Sequence, residues 1–228
     1  MSSRRADDLP GSVLDAAELV DHLERWSIGE STVVFDSGRV ISVRTDRVES
    51  ADGSTFHRDV VVHPGAVGIV ALDDDERMLL VSQYRHPVAH RLLEPPAGLL
   101  DVAGEPPHVA AARELAEEGH VRADDWRILV DPFTSPGMTD EAIRIYLARG
   151  LQAIPVAERH VGTHEEADMP VCWARLTDLV SSILAGVLHN PILVMGALAC
   201  HVAAAGEGWD RLRPVDAGWP VREDLAKR

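Results

Sequence analysis

Apolar residues recur along this chain with two different periods, and the points where the period changes divide it into segments. From Ser12 to Arg25, Val13, Leu14, Ala17, Val20 and Leu23 fall at helical spacing behind a serine able to cap a first turn, which predicts an accessory helix. The pattern then becomes β-branched and short. Runs over Ser31 to Phe35, Val40 to Val48 and Phe56 to Val62, with the turn-forming Ala51-Asp52-Gly53-Ser54 between the last two, predict a small antiparallel meander.

Ala66 to Leu72 and Met78 to Gln83 flank Asp73-Asp74-Asp75-Glu76-Arg77 and predict a hairpin with an acidic turn. That turn lacks the ligand spacing of an EF-hand and reads as a solvated loop. Beyond the proline-rich Glu94-Pro95-Pro96-Ala97-Gly98, the stretch from Pro106 to Glu118 is strongly helical, with its prolines in the first turn, where no amide hydrogen is needed. Strands follow at Trp126 to Val130, Ile143 to Ala148 and Val171 to Ala174, then helices around Leu176 to Ala185 and Ile192 to Ala204. With no internal repeat and no low-complexity linker, this order fits a single α+β domain carrying an N-terminal extension. The expected divisions are residues 1–30 as an extension with the accessory helix, 31–63 as an N-terminal strand region, 64–206 as the main domain and 207–228 as a tail.

Charge narrows the partners. Acidic residues number 37 and basic residues 22, a formal charge of −15, and no segment gathers enough Lys and Arg to follow a phosphate backbone, so nucleic acid is not an expected partner. A chain this acidic needs bound cations if its substrate is itself an anion. Cys172 and Cys200 are too few and too distant for a disulfide framework or a thiolate metal site and read as reduced, packed thiols. The polar stretch from Met1 to Gly11 has no signal-peptide core, and the apolar stretch from Pro191 to Ala205 is short and interrupted by His201; a cytoplasmic protein with no membrane partner is expected.

Within the helix, Glu114, Glu117 and Glu118 fall in a sector of about 100°, with Arg113 at its edge and Val109, Ala111, Ala112, Leu115 and Ala116 opposite. Like charges three and four residues apart repel, and the C-terminal end of a helix dipole disfavours anions. A cation is the local remedy. Hard oxygen ligands without imidazole or thiolate select magnesium or manganese, which suits phosphoryl transfer to water with a carboxylate taking the proton. Read alone, the same helix is equally an acidic, solvent-facing one.

The surroundings decide between the two. Gly98, Glu105, Arg113, Glu114, Leu115, Glu117, Glu118 and Val121 together resemble the Nudix box, whose pattern runs Gly, five residues, Glu, seven residues, then Arg-Glu-apolar-any-Glu-Glu-any-Gly-apolar. The seven-residue spacing from Glu105 to Arg113 is intact, and Arg113-Glu114-Leu115-Ala116-Glu117-Glu118 matches in full. Two positions depart from the pattern: six residues separate Gly98 from Glu105, and His120 stands where the last glycine falls. Gly119, one position earlier, is expected to end the helix in its place.

This resemblance implies a Nudix-type α/β/α sandwich with a mixed central sheet and an N-terminal antiparallel strand extension. It also implies Mg2+ or Mn2+ held by Glu114 and Glu118 directly, by Glu117 directly or through water, and by the Ala97 carbonyl. Arg113 would orient a glutamate, Glu105 would stabilise the loop near Arg113, and Gly98 would shape it. Gln83-Tyr84-Arg85-His86 ahead of the box and Thr134-Ser135-Pro136-Gly137 after it are similar to the ADP-ribose pyrophosphatase branch of the actinobacterial type. That branch implies a nucleotide-sugar substrate, a catalytic base at Glu166, then Glu165, with Glu117 as the alternative, a diphosphate contact at Arg85 and a nucleoside contact at Glu94. It further implies a homodimer in which Arg44, Arg47 and Arg58 on the N-terminal strands reach the partner's site. Other nucleotides (a GDP-sugar, NADH, a nucleoside triphosphate) and a non-catalytic nucleotide-binding regulator remain alternatives. His86, His160 and His164 lack zinc-ligand spacing.

Overall fold

The computed structural model of the chain describes residues 12–36, 38–160, 169–206 and 208–225. In chain order its elements are β1 (Ser27–Asp36), β2 (Ser42–Glu49), β3 (Thr55–Val62), β4 (Ala66–Ala71), β5 (Arg77–Arg85), β6 (His90–Glu94), β7 (Ala97–Leu99), α1 (Pro107–Gly119), β8 (Val121–Val130), β9 (Ile143–Ala153), β10 (Val171–Arg175), α2 (Leu176–Leu184), α3 (Pro191–Ala205), β11 (Arg213–Pro214) and α4 (Pro220–Leu225).

The centre is a five-stranded sheet in the order β11-β8-β9-β4-β7, in which β4 and β9 run parallel and the other pairs antiparallel. Side chains alternate across a strand, so the two faces of β4 and β9 feed two separate cores. Val67, Ile69, Ala71, Tyr146 and Ala148 pack with Ala110, Ala111 and Leu115 of α1. Val70, Ile145 and Leu147 pack with Leu193, Ala197 and Cys200 of α3. The result is the expected helix-sheet-helix sandwich, with a mixed sheet buried on both faces.

A smaller sheet, β10-β5-β6, flanks this centre. The predicted hairpin over Ala66 to Gln83 does not form as a paired unit. β4 and β5 meet at the single bridge Leu72↔Met78 and then enter different sheets, because β4 pairs on one edge with β9 and on the other with β7. The acidic turn between them is closed internally, with Arg77 Nε and Nη2 donating to Asp73 Oδ2 at 2.8 and 2.7 Å. The proline-rich stretch after it contributes the end of β6 and the start of β7.

The N-terminal meander is present as an antiparallel sheet in the order β1-β2-β3. The accessory helix expected over Ser12 to Arg25 is replaced by one three-residue 3-10 turn, Ala16–Glu18, at whose start Asp15 N–H donates to Glu18 Oε2 at 2.8 Å. Its apolar positions have nothing to pack against, Val13 being 86% and Leu23 57% exposed, and a short helix without a tertiary partner is marginal in water. At the other end, residues 208–225 are more than a tail: Trp219 is 5% exposed and belongs to the core beneath α1.

Candidate active site

The box begins at the sheet edge. Gly68 of β4 pairs with Ala97 of β7, and Ile69 N–H donates to the Pro96 carbonyl at 2.9 Å, so residues 96–98 are fixed to the central sheet before the chain loops to α1. Ala97 N–H then donates to Glu118 Oε2 at 3.0 Å, tying the last turn of α1 to that edge. Gly98 faces Glu114: a Cβ built on it would lie 2.1 Å from the Glu114 carboxylate carbon and oxygen. A side chain at this position would push the Glu114 carboxylate aside, so the glycine leaves room for it.

Arg113 gathers the acids that repulsion would scatter. Its Nη1 donates to Glu114 Oε1 at 2.7 Å and to Glu117 Oε2 at 3.2 Å, while Nε and Nη2 take the two oxygens of Glu105 at 3.2 and 3.1 Å. The bidentate pair with Glu105 is the main cause that raises the Arg113 pKa, and in return it holds the Glu105 carboxyl below its ordinary value.

Among the described residues, no three His, Cys, Asp or Glu side chains are gathered closely enough to hold a metal by themselves. The donors at hand are nonetheless suited to a hard divalent cation. Glu114 and Glu118 lie one helical turn apart on the face that meets Ala97 and Gly98, and a glycine leaves the room that the Glu114 carboxylate fills. Magnesium needs only one or two carboxylates when water and substrate phosphate complete its shell.

The helix ends at Gly119, as expected, and the left-handed turn falls on the next residue. That residue is His120, with φ 56° and ψ 32°, while Gly119 is buried against Leu115 and Leu79. His120 keeps the backbone conformation that the box assigns to glycine at this position. Burial is the largest influence on its imidazole and pushes the pKa down, helped by the positive charge of Arg159 and by His160 and opposed by the Ala116 carbonyl.

The remaining predicted residues are spread more widely. Arg85, at the end of β5, is clamped by Glu94 of β6, with Nε 3.0 and 3.2 Å from the two oxygens and Nη2 2.6 Å from one. Glu94 is 1% exposed, so this is a buried carboxylate with a half-exposed guanidinium over it. Arg44 donates to the buried Asp46 at 3.0 Å and lies 3.7 Å from Asp140, just past the Thr134-Ser135-Pro136-Gly137 segment. Arg58 stacks on Phe56 on β3, 4.5 Å from the ring centroid. Arg47 lies against Gly29 of β1, where a Cβ would fall 2.1 Å from its guanidinium. Glu165 and Glu166 lie outside the described residues.

Asp140 and Glu141 were not singled out from sequence. Asp140 Oδ1 accepts from His63 N–H at 2.9 Å, Glu141 Oε1 lies 3.4 Å from His63 Nδ1, and Val61 N–H donates to the Met138 carbonyl at 2.8 Å. These contacts dock the N-terminal sheet on the loop before β9. They join residues distant in sequence, which no local pattern marks.

The NUDIX domain family matches residues 62–192, more than half of the chain. The ADP-ribose pyrophosphatase of Mycobacterium tuberculosis is 45% identical over 189 residues, covering 83% of this chain and 89% of that protein. The methanol dehydrogenase activator of Bacillus methanolicus is 43% identical over 115 residues, covering 50% of this chain and 62% of that one. Among solved structures, an ADP compounds hydrolase superposes with a TM-score of 0.64 at 22% identity, covering 82% of this chain and 99% of that one, a likeness of fold. The chain belongs to the NUDIX family, and its site is that of a Nudix hydrolase. Divalent metal ions are the general requirement of such enzymes. No helix among the described residues is long and apolar enough to cross a membrane.

Proposed function

We propose that this enzyme hydrolyses the diphosphate of ADP-ribose to AMP and ribose 5-phosphate with Mg2+ or Mn2+. The observation that carries the hydrolysis is the junction of Gly98, Glu114 and Glu118 with Ala97, held open by Arg113. The substrate reading is supported by the name and extent of the mycobacterial relative, together with the Gln83 to His86 and Ser135-Pro136-Gly137 segments.

In this reading Glu114, Glu118 and the Ala97 carbonyl hold the metal, with Glu117 joining directly or through water. When bound, the metal neutralises charge on the diphosphate and makes a nearby water more acidic. Arg113 and Glu105 fix the direction of the carboxylates. Glu166 takes the proton of the attacking water, with Glu165 second in order and Glu117 as the alternative on α1. Arg85 contacts the diphosphate, and Glu94, which fixes Arg85, borders the nucleoside. Arg44 and Arg58 add substrate contacts from the N-terminal sheet. The exposed apolar strand β1, where Val33 and Phe35 are 62% and 52% exposed, supports burial against a second copy, and light scattering at the mass of a dimer tests it. Cys172 and Cys200 are both free thiols, which suits a reducing, cytoplasmic compartment.

The test is a hydrolysis panel with magnesium or manganese over ADP-ribose, NADH, GDP-mannose, diadenosine polyphosphates and nucleoside triphosphates, with products identified. Release of AMP and ribose 5-phosphate, with the highest kcat/KM for ADP-ribose, is expected. His120 in the last box position favours a second reading, a nucleotide-binding regulator without turnover, and tight binding of one compound with no hydrolysis of any would establish it.

A further inference from the structure

The C-terminal strap, residues 213–225, lies outside the segment that matches the family, yet a buried charge is committed to it. Arg144 of β9 is 3% exposed and pairs with Asp131 through two contacts of 2.8 Å. Two further bonds go to the strap: Nη1 donates to the Ala217 carbonyl at 2.8 Å and Nη2 to the Gly218 carbonyl at 3.0 Å. A buried guanidinium that loses such acceptors bears a large desolvation cost, so the strap cannot lift away freely. Trp219 follows, with Arg144 4.6 Å from its ring centroid on one side and Arg222 at 5.8 Å.

From this anchor Arg222 reaches the joint between the N-terminal sheet and the catalytic domain. Its Nη2 donates to the Pro64 carbonyl at 3.5 Å, and its Nε lies 3.6 Å from where a Cβ on Gly65 would be. Gly65 has φ +85°, open to glycine, and the same Cβ would fall 3.0 Å from the Ala142 carbonyl. The joint is bonded on every side: Gly65 N–H donates to His63 Nδ1 at 3.1 Å, and the Gly65 carbonyl accepts from Leu100 N–H, in the box loop, at 3.0 Å. A second tie runs from Arg25 to the Asp224 carbonyl at 3.2 Å.

We propose that the strap is a positioning element, in which Arg144 anchors Trp219 and Arg222 so that Arg222 fixes the Pro64-Gly65 joint and hence the placement of the N-terminal sheet. Its effect on substrate affinity rests on the reading that Arg44 and Arg58 on that sheet contact substrate. Residues of the strap touch the joint and the N-terminal segment, so substrate affinity responds to it before chemistry does.

The test uses the full chain carrying Arg222→Ala, with Arg222→Lys as the conservative variant and Arg25→Ala as an exposed second cut should Arg222→Ala fail to fold. Amide hydrogen exchange over residues 57–64 is expected to accelerate several-fold in Arg222→Ala. KM for ADP-ribose should rise roughly three- to tenfold with kcat and magnesium half-saturation unchanged, and lysine should restore part of both effects. Exchange at the wild-type rate overturns the positioning role whatever the substrate. Faster exchange with unchanged KM overturns its link to binding. Arg44→Ala with unchanged KM instead removes the substrate reading of the N-terminal sheet, and the exchange rate still decides whether the strap holds the joint.

Discussion

On α1, the groups that arrange the chemistry lie close together in sequence and bond to one another: Arg113 holds Glu105, Glu114 and Glu117, and Glu118 is taken by Ala97 at the start of the same motif. The N-terminal sheet is built the other way. Arg44 is set by Asp46 beside it and by Asp140 far along the chain, and the joint below it is fixed by Leu100 and Arg222. The first region carries its own instructions. The second takes its position from elements that the fold must bring to it.

The sharpest way to break this contrast is to remove the steric gap at the start of the box. Gly98→Ala places a methyl within 2.1 Å of the Glu114 carboxylate and should lower kcat by about 10²- to 10³-fold, as far as Glu114→Gln does, with more magnesium needed for half-saturation. Steady-state kinetics over a magnesium series decide it. A Gly98→Ala enzyme with kcat within threefold of wild type would show that Glu114 has room to move and that the close fit has no catalytic meaning.

Arg113→Ala tests the next layer. It leaves the carboxylates present but removes the guanidinium that pairs with Glu105, Glu114 and Glu117 together, and roughly a 10- to 100-fold loss in kcat/KM is expected. Arg113→Lys should recover little of it, because an ammonium cannot span the two oxygens of Glu105 and also reach Glu114. Full recovery by lysine would reduce the network to simple charge balance.

For the N-terminal sheet the expected signature is different in kind. Arg44→Ala should raise KM for ADP-ribose about tenfold and leave kcat nearly unchanged, as its proposed role in binding requires. Asp140→Asn, which removes the partner 3.7 Å away, should follow it with a smaller rise. A drop in kcat at constant KM in either variant would move this sheet into the chemistry and erase the distinction.

The same contrast explains what the sequence disclosed. Glu105, Arg113, Glu114, Glu117 and Glu118 were readable because a helix turns fixed spacing into a shared face. Buried runs such as Ala66 to Ala71 and Ile143 to Ala148 were readable as strands, though their parallel pairing was not, since periodicity names an element and not its neighbour. The amphipathic spacing of Ser12 to Arg25 misled for the same reason: a helical pattern becomes a helix when something covers its apolar face, and Val13 and Leu23 are left in solvent. Trp219 lies under α1 because Arg144 and Asp131 fix the strap, and that contact crosses most of the domain. Asp140, Glu141 and Arg222 belong to the same group.

The smallest expected effect comes from His120, and it tests whether the box is as self-contained as the first three experiments assume. His120→Gly relieves a left-handed backbone that costs a residue with a Cβ about 1 kcal/mol or more, and it removes a buried Nδ1 that has no hydrogen-bond partner among the described residues. Against this, glycine adds about 0.5–1 kcal/mol of unfolded-chain entropy. The net expectation is a stabilisation of about 1 kcal/mol, or roughly 2–4 °C in Tm. Because Glu118 is held by Ala97 N–H, kcat should stay within about twofold of wild type. His120→Ala separates the two causes: it deletes the imidazole but keeps the strained backbone, so it should melt below His120→Gly. If alanine proves as stable as glycine, the left-handed turn is not what limits this position. If instead glycine stabilises the fold but costs tenfold or more in kcat, the imidazole helps set the end of α1, and the carboxylate face depends on a residue that the box itself does not call for.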